Sequence, residues 1–158
     1  MNYRPYIAED FNQLYAIEEL CFNLPERFGR RYMRQLVTAT NAATWIAEED
    51  SLMAGFAICE WTEDPAGRDA YLQTIEVDPA HRARGIAREL LSRAEGSAKS
   101  AGATAIWLHV DEKNRAAIRL YQAGGFLCQG REEGYYGRGR AALIYAKPLA
   151  QSTGEPAA

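Results

Sequence analysis

The sequence lacks the features that would place it in a membrane, a secretory route or a metal centre. Its longest apolar run, Leu52 to Cys59, is far too short to cross a bilayer. The opening residues, Met1-Asn2-Tyr3-Arg4-Pro5, contain no apolar segment of the kind a signal peptide carries. Cysteine is scarce: Cys21, Cys59 and Cys128 are odd in number, widely separated and without metal or redox spacing. They are expected to be reduced, mostly structural thiols, and no metal is expected. A strong excess of one charge is missing too. A net charge of −3 over 158 residues argues against a nucleic-acid binder. No internal repeat and no linker divides the chain. The expectation is one soluble, cytoplasmic domain over residues 1–149, monomeric or homodimeric, with 150–158 a frayed tail.

What the chain does contain is a strand, a turn and a helix start between Tyr71 and Ala87. An apolar, β-branched run breaks at Asp78-Pro79, passes through a basic loop and enters a helix near Gly85. The first N–H groups of a helix have no partner inside it, and the helix dipole adds partial positive charge there. Such a loop is an anion site. Arg82 and Arg84 add two full charges, with Arg88 and Arg93 following. A match to Gln/Arg-x-x-Gly-x-Gly/Ala, here Arg82-x-x-Gly85-x-Ala87, arises by chance in about one chain of this size in six. Its weight therefore comes from its position, where small residues let backbone amides approach phosphate oxygens. A pyrophosphate is the anion this loop suits.

Periodicity orders the rest. Residues 3–7 read as a strand, and Ala8 to Leu20 as a helix with Phe11, Leu14, Ile17 and Leu20 on its apolar face. Cys21 to Gly29 is an unusually apolar loop, and Arg30 to Thr38 a second helix. Thr44–Ala47 and Met53–Trp61 form a hairpin through Glu49-Asp50-Ser51. Asp64 to Gly67 is a loop before a fourth strand, Ala70–Val77. The helix from Gly85 to Ser100 carries Ile86, Leu90, Leu91, Ala94 and Ala98 as its stripe. A fifth strand, Ala105–Val110, separates Trp107 and His109 from Ile106, Leu108 and Val110. Asn114 caps a helix that ends at Gly124-Gly125, and two last strands, 126–131 and 141–148, flank Gly134-Tyr135-Tyr136-Gly137. The fold class is α/β: a mixed, mostly antiparallel sheet of about seven strands with about four helices.

Asn114 and Tyr121 lie two helical turns apart and share a face. With the phosphate loop after the fourth strand and Asn114…Leu120-Tyr121…Gly125-Phe126 after the fifth, the chain resembles the GCN5-related N-acetyltransferase superfamily over residues 3–149. The resemblance implies acetyl-CoA as cofactor, held in a slot where the fourth and fifth strands splay. It implies pyrophosphate binding by Arg82, Ala83, Arg84, Gly85, Ile86 and Ala87, and pantetheine binding near Ile75 and Val77. It also implies cofactor contact by Asn114 and Tyr121, with Tyr121 the acid for the leaving thiolate.

Within that superfamily the chain is similar to protein N-terminal acetyltransferases of the ribosomal S18 and NatE types. Glu133-Gly134-Tyr135-Tyr136 resembles their double-tyrosine clamp on the substrate backbone. Cys21-Phe22-Asn23-Leu24-Pro25 resembles their apolar loop, which makes Phe22 and Leu24 substrate contacts. Tyr71 and His109 resemble a Tyr/His pair acting through water. His109 is then the expected base and Glu76 the rival, provided a strand bulge turns Glu76 to the side of Tyr71. His81 is expected to be a phosphate neighbour or simply exposed. The implied acceptor is a protein or peptide α-amine, with a small amine, amino acid or antibiotic as alternative. A non-catalytic acyl-CoA-binding module is the alternative of another class. Arg138 and Arg140 make the last hairpin basic, which suggests acceptors with acidic second or third residues.

Overall fold

A computed structural model describes residues 1–24, 26–62 and 68–150. Pro25, the expected loop at 64–67 and the expected tail at 151–158 fall outside the described residues. The elements run β1 (Asn2–Pro5), α1 (Phe11–Cys21), α2 (Arg30–Thr38), β2 (Ala42–Glu49), β3 (Leu52–Trp61), β4 (Asp69–Val77), α3 (Ile86–Ser100), β5 (Ala105–Asp111), α4 (Arg115–Ala123), β6 (Leu127–Glu132) and β7 (Ala142–Pro148). The seven strands form one sheet in the order β1-β2-β3-β4-β5-β7-β6. Every pairing is antiparallel except β4 with β5. No described helix is long and apolar enough to cross a membrane.

Alternation along the strands feeds two faces. Phe56 and Ile58 of β3 pack with Phe11, Leu14 and Ile17 of α1 and Met33 and Leu36 of α2. Ala57 and Cys59 face the other way, beneath α3. On α3 the expected stripe is the observed one: Ile86, Leu90, Leu91, Ala94 and Ala98 are all buried. Each leucine there contributes about 1.5–3 kcal/mol of apolar burial. The stripe of α1 differs from the expected one. Leu20 is 61% exposed, and Tyr15 and Glu18 are buried instead. Residues 11, 14, 15 and 18 are the true i, i+3, i+4, i+7 set.

Two irregularities of β4 make the site. β4 pairs with β5 only through Asp69, Ala70 and Tyr71, against Ala105, Ile106 and Trp107. Beyond Tyr71 the two strands separate: β4 stays on β3 while β5 follows β7 to Asp111. The bulge expected beside Glu76 lies earlier, because the β3 register jumps from Ile58↔Thr74 to Cys59↔Leu72 and leaves Gln73 as the extra residue. A bulge bends its strand and reverses the side-chain phase beyond it. Tyr71, Thr74 and Glu76 therefore share the α1–α2 face, with Tyr71 opposite Glu60 and Glu76 opposite Phe56. On the far edge of β3, Gly55 lies so close to β4 that a β-carbon there would stand 2.6 Å from the Glu76 carbonyl oxygen.

Candidate active site

The gap between β4 and β5 opens into a cleft of about 980 Å³. Its floor is aromatic. The hydroxyl of Tyr71 lies 2.8 Å from His109 Nδ1. The Tyr71 ring meets Trp107 edge-on at 4.6 Å, and Tyr135 stacks on the His109 imidazole at 4.1 Å and 9°. Tyr136 stands edge-on to Tyr135 at 4.9 Å. Burial, with the neighbouring Tyr135 hydroxyl, pushes the Tyr71 phenol well above its ordinary pKa. On the outer side, His109 Nε2 lies 3.4 Å from Glu132 Oε1.

Tyr121 comes to the same cleft from α4, 7% exposed. Its phenol is pushed up by burial and then by Tyr136, so it holds its proton across the neutral range. Asn114 lines the cleft and also caps α4, its Oδ1 accepting the Ala117 N–H at 3.1 Å. The cap and cleft readings of Asn114 are therefore compatible.

The anion loop has the backbone its sequence suggested. Gly85 precedes α3 with φ +80°, a region that favours glycine, and Ala83 is also left-handed at φ +62°. Nothing lies within 4 Å of a β-carbon at Gly85, so conformation rather than space selects the glycine. Residues alternating into left-handed conformation ahead of a helix turn successive N–H groups toward one concavity, which suits a pyrophosphate. The arginines do less than expected. Arg82 Nε donates to the Val77 carbonyl at 3.1 Å, and Arg84 pairs with Glu49 at 2.7 Å. Arg93 is turned away, paired with Glu89 and lying over the Tyr3 and Trp45 rings. Ile75 lines the cleft, whereas Val77 packs with Ile86 and Leu90 outside the cleft lining.

Another wall of the cleft comes from the loop after α1 and the hairpin between β6 and β7. Phe22, Tyr135 and Tyr136 line the cleft. Leu24 does not: it is 76% exposed and outside the lining. Phe28 and Tyr32 take that wall instead, packed edge-on at 5.2 Å. The loop is pinned at Phe28, whose carbonyl accepts from the Tyr15 hydroxyl at 2.7 Å and whose N–H donates to Glu18 at 2.8 Å.

Sequence reasoning missed Glu18. It is 1% exposed, lines the cleft and faces the equally buried Glu76. One oxygen of each, Oε1, has no hydrogen-bond partner among the described residues. Burial first, then Glu18, drives the Glu76 pKa well above the carboxylate range, while the Thr74 hydroxyl donating at 2.8 Å opposes this. Burial beside Glu18 thus favours the protonated form of Glu76, which lies outside the cleft lining. The available signal was positional, since Glu18 completes the buried stripe of α1.

This pair makes stability depend on pH. The folded-state pKa of Glu76 is raised, so its contribution is full below the unfolded carboxylate value and is lost as pH rises through the folded one. Glu76→Gln removes that loss. The variant should gain thermal stability relative to wild type at pH 8 and little at pH 4. An equal shift at both values would contradict a raised Glu76 pKa.

The mouth of the cleft is acidic. Arg140, expected to make it basic, is held by Asp111 at 2.8 Å and Glu26 at 3.1 Å. Glu60, hydrogen-bonded to Gln73, adds a further carboxylate. Cys59 is buried, with its thiol pushed up to about 12 by burial, and no described group of three or more His, Cys, Asp or Glu residues has metal-binding geometry.

Sequence comparison places this geometry in a class. The acetyltransferase (GNAT) family profile matches residues 11–126, and the chain belongs to that family. It is similar to the [ribosomal protein bS18]-alanine N-acetyltransferase of Haemophilus ducreyi, 32% identical over 120 residues, 76% of this chain and 78% of that one. The streptothricin acetyltransferase of Streptomyces lavendulae is 33% identical over 103 residues, 63% of this chain and 53% of that one. The same fold occurs in Arabidopsis thaliana NAA60, solved in complex with acetyl-CoA, with a TM-score of 0.82 at 22% identity, covering 94% and 98% of the two chains. The mixed seven-stranded sheet expected from the sequence is thus the fold of this family.

Proposed function

We propose that the protein transfers acetyl from acetyl-CoA to the free α-amino group of a protein or peptide. The observation that carries this reading is the Tyr71–His109 pair, bonded at 2.8 Å on the floor of a cleft walled by Tyr135 and Tyr136. The similarity to an S18-alanine N-acetyltransferase supports the choice of acceptor.

Acetyl-CoA supplies the acetyl group as an activated thioester. The amides of Arg82 to Ala87, the β4 edge at Ile75 and Val77, and Asn114 would hold it. His109 accepts the amine proton at Nδ1 through Tyr71 or a water. An imidazole is better matched to an α-amine of pKa about 7.7–8.0 than to a lysine near 10.4. Tyr121 holds a proton at its hydroxyl for the departing sulfur and regains one from the second hydrogen that the amine nitrogen loses as the amide forms. Tyr135 and Tyr136, with Phe22 and Phe28, shut water from the acceptor and align its first residue.

The charge at the mouth sets which peptides fit. The cleft is lined by Glu18, Glu26, Glu60 and Asp111 against Lys113 and Arg140. With Arg140 satisfied, that surplus of carboxylates attracts an ammonium group and basic side chains behind it, and repels acidic ones. This reverses the preference suggested by the hairpin sequence alone. A peptide library incubated with acetyl-CoA and read by mass spectrometry tests both points. Acetyl is expected on α-amines, with Lys or Arg favoured at the second and third positions over Asp or Glu about tenfold. Enrichment of acidic residues, or acetyl confined to lysine side chains, would contradict it.

A second reading follows from one relative. The chain's similarity to a streptothricin acetyltransferase supports a small amine or antibiotic as acceptor in the same acidic cleft. Such a compound competing with peptides at equal kcat/KM would favour it.

A further inference from the structure

We infer that Glu132 is a positioning residue for His109, fixing its tautomer and compensating the charge it takes up; this rests on the proposed amine acetylation. Glu132 and His109 project from the same face of the sheet, because β6 and β5 both pair with β7. Glu132 lies opposite Ala142, and His109 opposite Ile144. The separation of Nε2 from Oε1 is 3.4 Å, and the histidine is nearly buried while the glutamate is 52% exposed.

The surrounding charges isolate this contact. Arg131, the neighbouring cation, is tied to Glu112 at 2.9 Å and to Glu133 at 2.6 Å, and Arg140 is tied to Glu26 and Asp111. Among the described residues, the Glu132 carboxylate makes its side-chain hydrogen bond with His109. A carboxylate only accepts, so Nε2 carries the hydrogen and Nδ1 presents its lone pair to the Tyr71 hydroxyl. Tyr135, stacked on the ring, blocks its rotation out of this arrangement.

The proton balance follows. The ammonium N–H bond breaks and an Nδ1–H bond forms, with Tyr71 giving up its own hydrogen and receiving one in return. The amine loses a positive charge and the imidazole gains it, next to the Glu132 carboxylate. After product leaves, Nδ1 returns its proton to water by the same route, and Nε2 keeps its hydrogen throughout.

Two measurements test this. Wild type, Glu132→Gln and the exposed-carboxylate control Glu9→Gln are compared in steady-state kinetics with acetyl-CoA and a peptide acceptor. Glu132→Gln is expected to lower kcat about fivefold, the scale of a partly exposed ion pair, with KM for both substrates within twofold. Glu9→Gln should match wild type. Unchanged kcat in Glu132→Gln, or a loss confined to KM, overturns the inference. The second readout needs no acceptor. The protein has two histidines, so the imidazole 15N signals of His109 can be assigned with a His81→Gln background. Neutral His109 is expected to be Nε2–H in wild type and to populate Nδ1–H in Glu132→Ala. An unchanged tautomer in Glu132→Ala overturns the inference. If wild type acetylates no amine, the acetyltransfer reading fails, and the tautomer decides the role of Glu132 by itself.

Discussion

His109→Ala is expected to lower kcat by about a hundred- to ten-thousandfold, the range for loss of a general base. KM for acetyl-CoA should change little, since in the proposed reaction His109 takes the amine proton and does not hold the cofactor. The comparison that gives this result meaning is Glu76→Gln. Glu76 is buried, held toward its protonated form and outside the cleft lining, so Gln preserves its shape and should keep most of the activity. Stopped assays of both variants at pH 7.5 separate the two candidates. A Glu76→Gln enzyme as crippled as His109→Ala would return Glu76 to the role of base. A non-catalytic acyl-CoA-binding module would show no turnover in wild type or in either variant.

Tyr121→Phe is expected to lower kcat about a hundredfold while leaving KM for peptide and acetyl-CoA within a few-fold, because the hydroxyl is needed as sulfur departs rather than in binding. The phenol is buried between Phe126, at 5.7 Å, and the cleft, so Phe keeps the packing and removes one proton donor. With the pKa of the phenol raised by burial, the wild-type hydroxyl stays protonated well into the alkaline range. The direct check is kcat against the pKa of the leaving thiol in a series of acetyl thioesters. A steeper dependence in Tyr121→Phe than in wild type is expected. Equal slopes would remove Tyr121 from the chemistry and leave it a core residue.

Much of the frame was legible because local signals agreed. The α3 stripe, the turn at Asp78-Pro79 and Gly85 before the helix all point the same way, and the strand pattern of β5 separates His109 from the core. The Tyr71–His109 juxtaposition followed from the parallel pairing at Tyr71↔Trp107 and the alternation beyond it. What was hidden depends on tertiary choices. Leu72-Gln73-Thr74 reads as plain alternation, and only the register against β3 shows that Gln73 is inserted. Glu18 sits at a core position of α1 that polarity alone assigns to solvent. Arg140 looks like free charge in sequence, yet it is satisfied by Glu26 and Asp111, which come from two other parts of the chain. Leu20 and Leu24 show the converse, apolar residues left exposed because helix phase and loop path turn them outward.

The most direct test uses two peptides of one sequence, each with an internal lysine, one with a free α-amine and one with it blocked. Acetyl-CoA consumption by wild type and His109→Ala is followed on both. Turnover of the free peptide only, lost in His109→Ala, is the expected result. Equal turnover of the blocked peptide, or full activity of His109→Ala on the free one, would contradict α-amine acetylation by a Tyr71–His109 pair.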